Sequence, residues 1–337
     1  MLRRTVLTGV RPTGPLHLGH YAGALENWLR LQHEYECFFL IADHQVSDYA
    51  GEIARVRESV WEVALDWLAV GLDPDKSHFV VESLVPEHAE LTILLTWFVP
   101  LGRLQRNPTL KAEIDDLDLG TKGVPVGFFI YPVMQVANIL LPRACLVPVG
   151  KDQLPHIEMA RELARRFNRD HGEVFVEPEA LVGRVPRLVG TDGRAKMSKS
   201  LGNAMYLKDD AETVERKVMG MYTDPTRRRA TDPGHVEGNP VFDYHEAFNP
   251  DPEEVRELKA RYARGAVGDV EVKRRLATVL NRLLGPVRER RQYFEARPRF
   301  VAQALGRGSA VERSVAAKTM EAVRDALRLD YIGVTRS

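Results

Sequence analysis

Short apolar runs of strand length alternate with longer amphipathic patterns over the first two hundred residues of this chain. The runs are β-branched or aromatic, are bounded by turn-forming residues, and read TVLTGV, CFFLIAD, HFVVES and CLVPVG. Helical patterns such as RVRESVWEVALDWLAVG separate them. Because strands that alternate with helices are joined by crossover connections, the pattern predicts an α/β fold with a mainly parallel sheet.

The strand pattern stops near residue 205, and charged helical patterns follow from about Asp209 onward. We therefore expect an α/β domain over residues 1–205 and a smaller all-helical domain over residues 206–337. The last helices of the second domain can pack back on the first. Residues 223–243 are rich in proline, glycine and charged residues, which predicts an irregular loop.

Composition indicates an ordinary globular protein, because 337 residues with 44% hydrophobic and 28% charged positions can build a large core and a second, smaller one. The two cysteines, Cys37 and Cys145, have neither metal-ligand nor redox spacing. The first residues lack the apolar stretch of a signal peptide. We therefore expect a cytoplasmic protein without disulfides.

Residues 123–142 run for twenty positions without a charge, about the length of a membrane-spanning helix. Three prolines and the polar Gln135 and Asn138 argue against a membrane span. We interpret the segment as buried, with its polar groups either in a pocket or in a satisfied core network.

The formal net charge is zero, but its distribution is uneven. Residues 256–300 contain thirteen Lys and Arg against five Asp and Glu, within amphipathic helical patterns such as VEVKRRLATVLNRLL. Such an excess is typical either of a solvated helix face or of a surface that contacts a phosphate backbone.

The segment GVRPTGPLHLGHY follows the first predicted strand. Pro12 and Gly14 predict a turn, and HLGH opens the next helix. His17 and His20 share a face at the helix start, and Gly19 lets a planar ring or a phosphate approach the backbone closely. The pattern is typical of a triphosphate site, since helix N-termini favour anions. The alternative is a pair of histidines that cap a core helix.

The stretch GRAKMSKSLGN, residues 193–203, places two lysines three apart in a segment too polar for a core. KMSKS by itself is compatible with a surface loop. Together with the earlier HLGH turn it forms the paired signature of class I aminoacyl-tRNA synthetases, which this chain resembles. The segments VPVGKDQLPHIEMARELARRFN, GTDGRAKMSKSLGNAMYLKDD and VMGMYTDP narrow the resemblance to the bacterial tryptophanyl enzymes.

The resemblance implies a Rossmann-like nucleotide-binding catalytic domain and a helical domain that binds the tRNA anticodon. It implies activation of L-tryptophan by ATP, then transfer to tRNA(Trp), with release of diphosphate and AMP. Negative charge builds on the departing diphosphate, so catalysis depends on positioning and electrostatic stabilisation. The implied catalytic residues are Lys196, Lys199, Lys111, His17 and His20. For Lys111, in NPTLKAE, an ordinary surface lysine is the alternative.

By the same resemblance, ATP lies between the first turn on one side and the GKD segment with the residues before the KMSKS loop on the other. The implied ATP-binding residues are Gly9, Arg11, Pro12, Thr13, Gly19, His20, Gly150, Lys151, Asp152, Leu188, Lys196, Met197, Ser198, Lys199 and Ser200. Mg²⁺ is expected to accompany ATP, held mainly by phosphate oxygens and water. The sequence contains no zinc-site pattern.

The amino-acid pocket departs from the family. In YPVMQVAN, Tyr131 and Asn138 share a face of a helix predicted to begin at Pro132. The residues that the resemblance implies for tryptophan are Tyr131, Gln135, Asn138, Gln153 and Gln45. Bacterial tryptophanyl enzymes usually carry an aspartate at the position of Asn138, which accepts the indole N–H, and a histidine at that of Gln45. We expect the Asn138 amide to accept this bond, and Asn138→Asp to retain activity.

These departures keep alternatives open. A synthetase for tyrosine or a modified indole is the nearest one. A small adenylate-forming ligase that uses no tRNA is another, but the basic helical domain argues against it. An inactive paralogue kept as a binding protein is the third, but the intact KMSKS and both histidines argue against it. The resemblance also implies a homodimer, with no membrane partner.

Overall fold

A single parallel sheet organises the chain, of which the computed structural model describes residues 4–150, 153–182, 188–193, 197–199, 201–229 and 231–331. The strand order is β3-β2-β1-β4-β5. The strands are β1 (Thr5–Val10), β2 (Glu36–Ile41), β3 (Ser77–Val81), β4 (Leu146–Val149) and β5 (Glu179–Val182). The four strands predicted from apolar runs are confirmed. Strand β5 lacked that signal because neither of its faces is fully buried.

Helices fill the connections and cover both faces of the sheet. Up to strand β4 they are α1 (Leu18–His20), α2 (Glu26–Glu34), α3 (Ile53–Val70), α4 (Glu87–Thr96), α5 (Leu101–Gln105), α6 (Pro108–Asp116), α7 (Leu119–Lys122), α8 (Val126–Phe129) and α9 (Tyr131–Leu140). Thereafter they are α10 (Leu154–His171), α11 (Ala211–Met219), α12 (Pro240–Phe248), α13 (Pro252–Ala263), α14 (Asp269–Glu295) and α15 (Pro298–Ala326). No helix within the described ranges combines the length and apolar character needed to cross a membrane.

Successive residues of β2 point to opposite faces of the sheet, which is the period of a strand. Phe39 and Ile41 enter one core, which also receives α3 and α14, and Phe38 and Leu40 enter the other, which receives α9 and α10. In the first core Phe39 stacks on Trp28 with ring centroids 5.0 Å apart. The buried aromatic and branched side chains on both faces explain why β2 reads as an unbroken apolar run.

Two expectations need correction. The segment 123–142 is not buried throughout, because Val126 is 76% exposed; burial is nearly continuous only from Tyr131 onward. The predicted loop 223–243 is also too long, since α12 begins at Pro240 with Asn239 as its N-cap. The Asn-Pro pair explains the helix start, because proline suits the first helical position.

The last helix covers the edge strand β3. The hydroxyl of Ser309 accepts a hydrogen bond of 3.0 Å from the backbone N–H of Val81. A side chain at Gly308 would collide with the backbone of Phe79. Nearby, His88 of α4 lies 3.2 Å from Glu312 of α15, with both side chains fully buried. Helix α15 therefore packs directly on the α/β part of the chain, while the division at residue 205 stays a prediction.

Candidate active site

The strand order reverses between β1 and β4, so the connections leave these two strands in opposite directions. In open α/β sheets, ligands bind at the carboxyl ends of such a pair. The Thr8 hydroxyl donates a hydrogen bond of 3.1 Å to the carbonyl of Pro148 and ties the two strands together near these ends. The turn after β1 and Gly150 after β4 therefore lie at the expected position of a ligand.

The HLGH turn holds its two histidines against each other. Their ring centroids lie 3.9 Å apart, and the backbone N–H of His17 donates to Nδ1 of His20 at 3.2 Å. Burial lowers the pKa of His17 to about 3, and the nearby Lys199 charge acts in the same direction. Burial likewise lowers the pKa of His20. Both imidazoles are therefore neutral at neutral pH, and they act through hydrogen bonds rather than charge.

The residues after the KMSKS segment pair with the HLGH turn. The backbone N–H of Leu18 donates to the Met205 carbonyl at 2.9 Å, and that of Leu207 donates to the Leu16 carbonyl at 3.0 Å. The HLGH turn and the residues that follow the KMSKS segment, far apart in sequence, are thus joined by backbone hydrogen bonds.

Lys199 reaches the turn that follows β1. Its ammonium donates to the Gly14 carbonyl at 2.7 Å and to the Thr13 hydroxyl at 3.4 Å. The Gly19 backbone N–H lies 3.4 Å from the Met197 sulfur. Burial lowers the pKa of Lys199 to about 8. The structure therefore brings Lys199, Met197, Thr13 and Gly19 together, and their role in ATP binding stays a prediction.

Asn203 organises the KMSKS loop and was not identified from the sequence. Its side-chain oxygen accepts from the Ser198 backbone N–H at 2.8 Å, and its amide donates to Asp192 at 3.1 Å. Its carbonyl accepts from the Thr191 N–H at 3.0 Å. A signal was available in the LGN that closes the segment, since Gly202 has a φ of +67° and Asn favours local backbone bonds.

Among the other predicted ATP-binding residues, Leu188 contacts this loop, whereas Gly9, Arg11 and Pro12 lie at the end of β1 or just after it. The Leu188 carbonyl accepts from the Met197 N–H at 3.2 Å. Pro12 is buried, and a side chain at Gly9 would collide with Leu40 of the neighbouring strand. Arg11 forms an ion pair with Asp48. Four predicted site residues, Lys151, Asp152, Lys196 and Ser200, lie outside the described residues.

The predicted amino-acid pocket is built on α9, which begins at Tyr131, one residue before the predicted start. Tyr131 is buried, and its ring lies 5.6 Å from that of Phe128 and 5.6 Å from that of His156. Burial raises the pKa of the Tyr131 hydroxyl, and the Glu113 carboxylate adds to the effect.

Asn138 is 2% exposed, and its side-chain oxygen lacks a hydrogen-bond partner among the residues described. Its amide lies within hydrogen-bonding reach of the Glu82 carboxylate. Gln45 is buried and directly follows His44, whose N–H donates to Glu82 at 3.2 Å. Glu82 was missed because ES after a strand carries no signal for a pocket residue.

The remaining predicted residues are less buried than Tyr131 and Asn138. Gln135 and Gln153 are half-buried, and the Gln153 N–H donates to the Gly150 carbonyl at 3.0 Å. Lys111 is exposed on α6 and forms no ion pair with a described residue. The described contacts bring its helix to the Tyr131 pocket through Glu113, but they do not bring Lys111 to Lys199. In the described ranges no cluster of three or more His, Cys, Asp or Glu could hold a metal.

Known proteins match this chain over most of its length. Residues 3–285 match the family model described as tRNA synthetases class I (W and Y). The tryptophan–tRNA ligase of Treponema pallidum is 53% identical over 332 residues, covering 98% of this chain and 97% of the relative. That of Clostridium longisporum is 50% identical and covers 98% of both chains. A crystal structure of tryptophanyl-tRNA synthetase from Campylobacter jejuni with ADP and tryptophan superimposes with a TM-score of 0.83, at 33% identity, covering 96% of this chain and 99% of that one.

Proposed function

This chain belongs to the class I tRNA synthetases for tryptophan and tyrosine, and from that premise we propose how its residues carry out the reaction. The chain activates tryptophan with ATP and charges tRNA with it. The tryptophan carboxylate attacks the α-phosphorus and diphosphate leaves; a ribose hydroxyl of tRNA then attacks the acyl carbon and AMP leaves. The observation that carries the residue assignment is the bond between Lys199 and the Gly14 carbonyl, since it joins the two motifs in one site.

Lys199 stabilises the departing diphosphate. Its present partners, the Gly14 carbonyl and the Thr13 hydroxyl, are neutral acceptors. Phosphate oxygens bind an ammonium more strongly because the bond is charge-assisted. The ammonium therefore transfers from the turn to the phosphates when ATP binds. Lys196 supplies the second cation.

The neutral histidines position ATP. A neutral imidazole carries one N–H donor and one acceptor, so it binds an ATP oxygen without repelling Lys199. The imidazole of His17 lies at the start of α1 near Lys199, and we assign it to this contact.

Asn138 and Tyr131 bind the indole. The indole nitrogen is only a donor, so the pocket must present an acceptor. The unpartnered Asn138 side-chain oxygen is that acceptor, and the Tyr131 ring packs on the apolar part of tryptophan. Mg²⁺ enters with ATP, bound by phosphate oxygens and water, because this ion keeps several waters and rarely has an all-protein site.

The helical part, residues 206–337, binds tRNA, and residues 1–205 carry the chemistry. Many basic residues of the 256–300 segment are occupied, such as Arg275, which pairs with Glu254 and Glu271. Others are exposed and have no acidic partner among the described residues: Arg264, Arg274, Arg282, Arg290, Arg297 and Arg299. The Arg297 guanidinium also lies 3.5 Å from the ring centre of exposed Tyr293. Interleaved arginine and aromatic side chains suit contact with phosphates and unstacked bases.

A second copy of the chain covers an apolar surface made by α4, α5 and α8. Ile93, Trp97, Leu101 and Val126 are all more than half exposed there. Leu101 and Val126 also line a cavity of about 330 Å³, whose other walls include Val99, Leu104 and Phe129. Apolar patches of this kind mark association surfaces. Sedimentation should give a dimer for the parent and a monomer for Trp97→Glu. A monomeric parent would contradict the proposed dimer but not the proposed activity.

Amino-acid-dependent exchange of diphosphate into ATP tests the activity. We expect exchange with tryptophan, at least roughly a hundredfold lower exchange efficiency with tyrosine, and charging of tRNA by the parent. Exchange that prefers tyrosine would overturn the tryptophan assignment. Exchange without charging would leave an adenylate-forming ligase that does not use tRNA.

A further inference from the structure

Glu82 is a buried carboxylate next to the proposed indole acceptor. It follows strand β3 directly and is 1% exposed. Within the described ranges neither lysine nor arginine forms an ion pair with it. The titratable side chains that face it are His44, His88 and Asp43, and Glu312 lies behind His88. A carboxylate in such a place needs hydrogen-bond donors to offset its desolvation.

Two donors converge on this carboxylate. One is the backbone N–H of His44, at 3.2 Å from Oε2. The other is the side-chain amide of Asn138. Burial raises the pKa of Glu82, whereas the nearby His88 and His44 and the bond from the Asn138 amide act in the opposite direction. In its charged form, which the buried His88 favours, the Glu82 carboxylate accepts but cannot donate, so it selects the orientation in which the NH₂ of Asn138 faces it. The Asn138 oxygen must then point away, and that oxygen is the buried atom without a described partner.

We propose that Glu82 is a positioning residue for amino-acid selection, which fixes the Asn138 amide with its oxygen toward the indole N–H. The inference rests on the proposed function of Asn138. A free asparagine amide could turn over and present NH₂ to the indole, where two donors would oppose each other. Glu82 removes that orientation without touching the substrate.

The pair also changes the expectation for Asn138→Asp. An aspartate at this position would place a second carboxylate against Glu82 in a buried site, and two adjacent carboxylates cannot both stay ionised there. We therefore expect this single variant to bind tryptophan poorly. The sequence-based expectation that it retains activity considered Asn138 without its neighbour.

Glu82→Gln tests the proposal because it keeps the shape and removes one acceptor. Glutamine has a single oxygen for the two donors, so its NH₂ must face either His44 N–H or the Asn138 side chain. In the second case the Asn138 amide turns over. We expect the KM for tryptophan in diphosphate exchange to rise roughly tenfold, as for loss of one buried hydrogen bond. The kcat and the KM for ATP should stay within about twofold, because Glu82 touches neither ATP nor the reacting atoms.

A substrate analogue without the N–H gives a readout that a purely structural defect would not change. β-(3-Benzothienyl)alanine has the indole shape with sulfur in place of N–H. The parent should prefer tryptophan over it by roughly tenfold or more in kcat/KM, and Glu82→Gln should reduce that preference at least about fivefold. Asp43→Asn is the matched control, since it removes a neighbouring carboxylate that contacts Ser83 rather than Asn138, and it should keep the parent's preference.

The double variant Glu82→Gln/Asn138→Asp exchanges the amide and the carboxylate. The aspartate then accepts from the glutamine NH₂ and from the indole, so the double variant should recover tryptophan KM to within about threefold of the parent and exceed both single variants. It also carries the test if Glu82→Gln alone does not fold. A double variant no better than the worse single variant, or an unchanged preference in Glu82→Gln, overturns the positioning role. A parent without tryptophan-dependent exchange would instead overturn the proposed function itself.

Discussion

The carboxylate of Asp66 accepts a hydrogen bond of 2.6 Å from the backbone N–H of Leu16, the residue before His17. The same carboxylate forms a buried ion pair with Arg291 of α14. Burial raises the pKa of Asp66 to about 6, although the Arg291 charge acts in the opposite direction. Helix α14, in the C-terminal part of the chain, is therefore linked to the HLGH turn through the side chain of Asp66.

Replacing Asp66 should loosen that turn. We expect Asp66→Asn to lower the free energy of unfolding by about 3 kcal/mol, because it leaves Arg291 buried with less counter-charge. It should also raise the KM for ATP, since the Leu16 N–H loses a charged acceptor. Urea unfolding and diphosphate exchange measure the two effects. Lys208→Ala, which removes a partly exposed partner of Glu62, should change stability by less than about 1 kcal/mol. A similar small loss in both variants would refute the role of Asp66.

Loss of either loop lysine should slow the chemical step. Lys196→Ala and Lys199→Ala should each reduce the rate of adenylate formation by roughly 100- to 1000-fold, as for loss of one preorganised electrostatic donor. Tryptophan binding should change little, because the charge acts on the departing diphosphate. Rapid-quench measurement of a single turnover checks this. A rate within about threefold of the parent in both variants would withdraw the assignment.

The lowered pKa of Lys199 predicts a pH dependence of ATP binding. In the free chain the ammonium loses its proton near pH 8, whereas bound phosphates favour the charged form and raise the pKa. Binding then takes up a proton above pH 8, so the KM for ATP should rise by about tenfold per pH unit from there. Lys199→Arg should remove this rise, because a guanidinium stays charged. Equal pH profiles for parent and variant would show that another group titrates.

The exposed arginines of α14 should contribute to tRNA binding. Arg274→Ala with Arg282→Ala should weaken tRNA binding and reduce the slope of log K against log salt by about 1 for each phosphate that is no longer bound. Diphosphate exchange should be unaffected. Arg275→Ala is the control, since that side chain is already paired with Glu254 and Glu271, and it should leave the slope unchanged. Equal effects at positions 274 and 275 would place the tRNA elsewhere.

The sequence predicted those elements whose local pattern matches their burial. Phe38 to Ile41 of β2 are all buried, so this apolar run correctly predicts a central parallel strand. Strand β5 carries exposed and half-buried residues and resembles a loop in composition. Val126 shows the opposite error. It lies in an apolar run, which predicts burial, but its side chain is exposed. We assign this exposure to the proposed association surface, which local patterns do not encode.

The candidate site residues also differ in whether a local sequence pattern identifies them. His17, Lys199 and Asn138 stand in motifs whose spacing predicts them as site residues. Glu82 and Asp66 act through residues distant in sequence, and only the assembled fold brings them to their partners. Their positions read as ordinary polar residues at the end of a strand and within a helix. A buried carboxylate that serves a neighbouring site is therefore invisible until the contacts are known.

The packing of α15 on strand β3 also determines when this edge of the sheet becomes covered during synthesis. Strand β3 is an edge of the sheet, and exposed strand edges pair readily with other chains. The Ser309 hydroxyl and the close approach at Gly308 close that edge. The ribosome makes β3 more than two hundred residues before this helix. During synthesis the growing chain therefore carries an open sheet edge until α15 has emerged and can pack on β3.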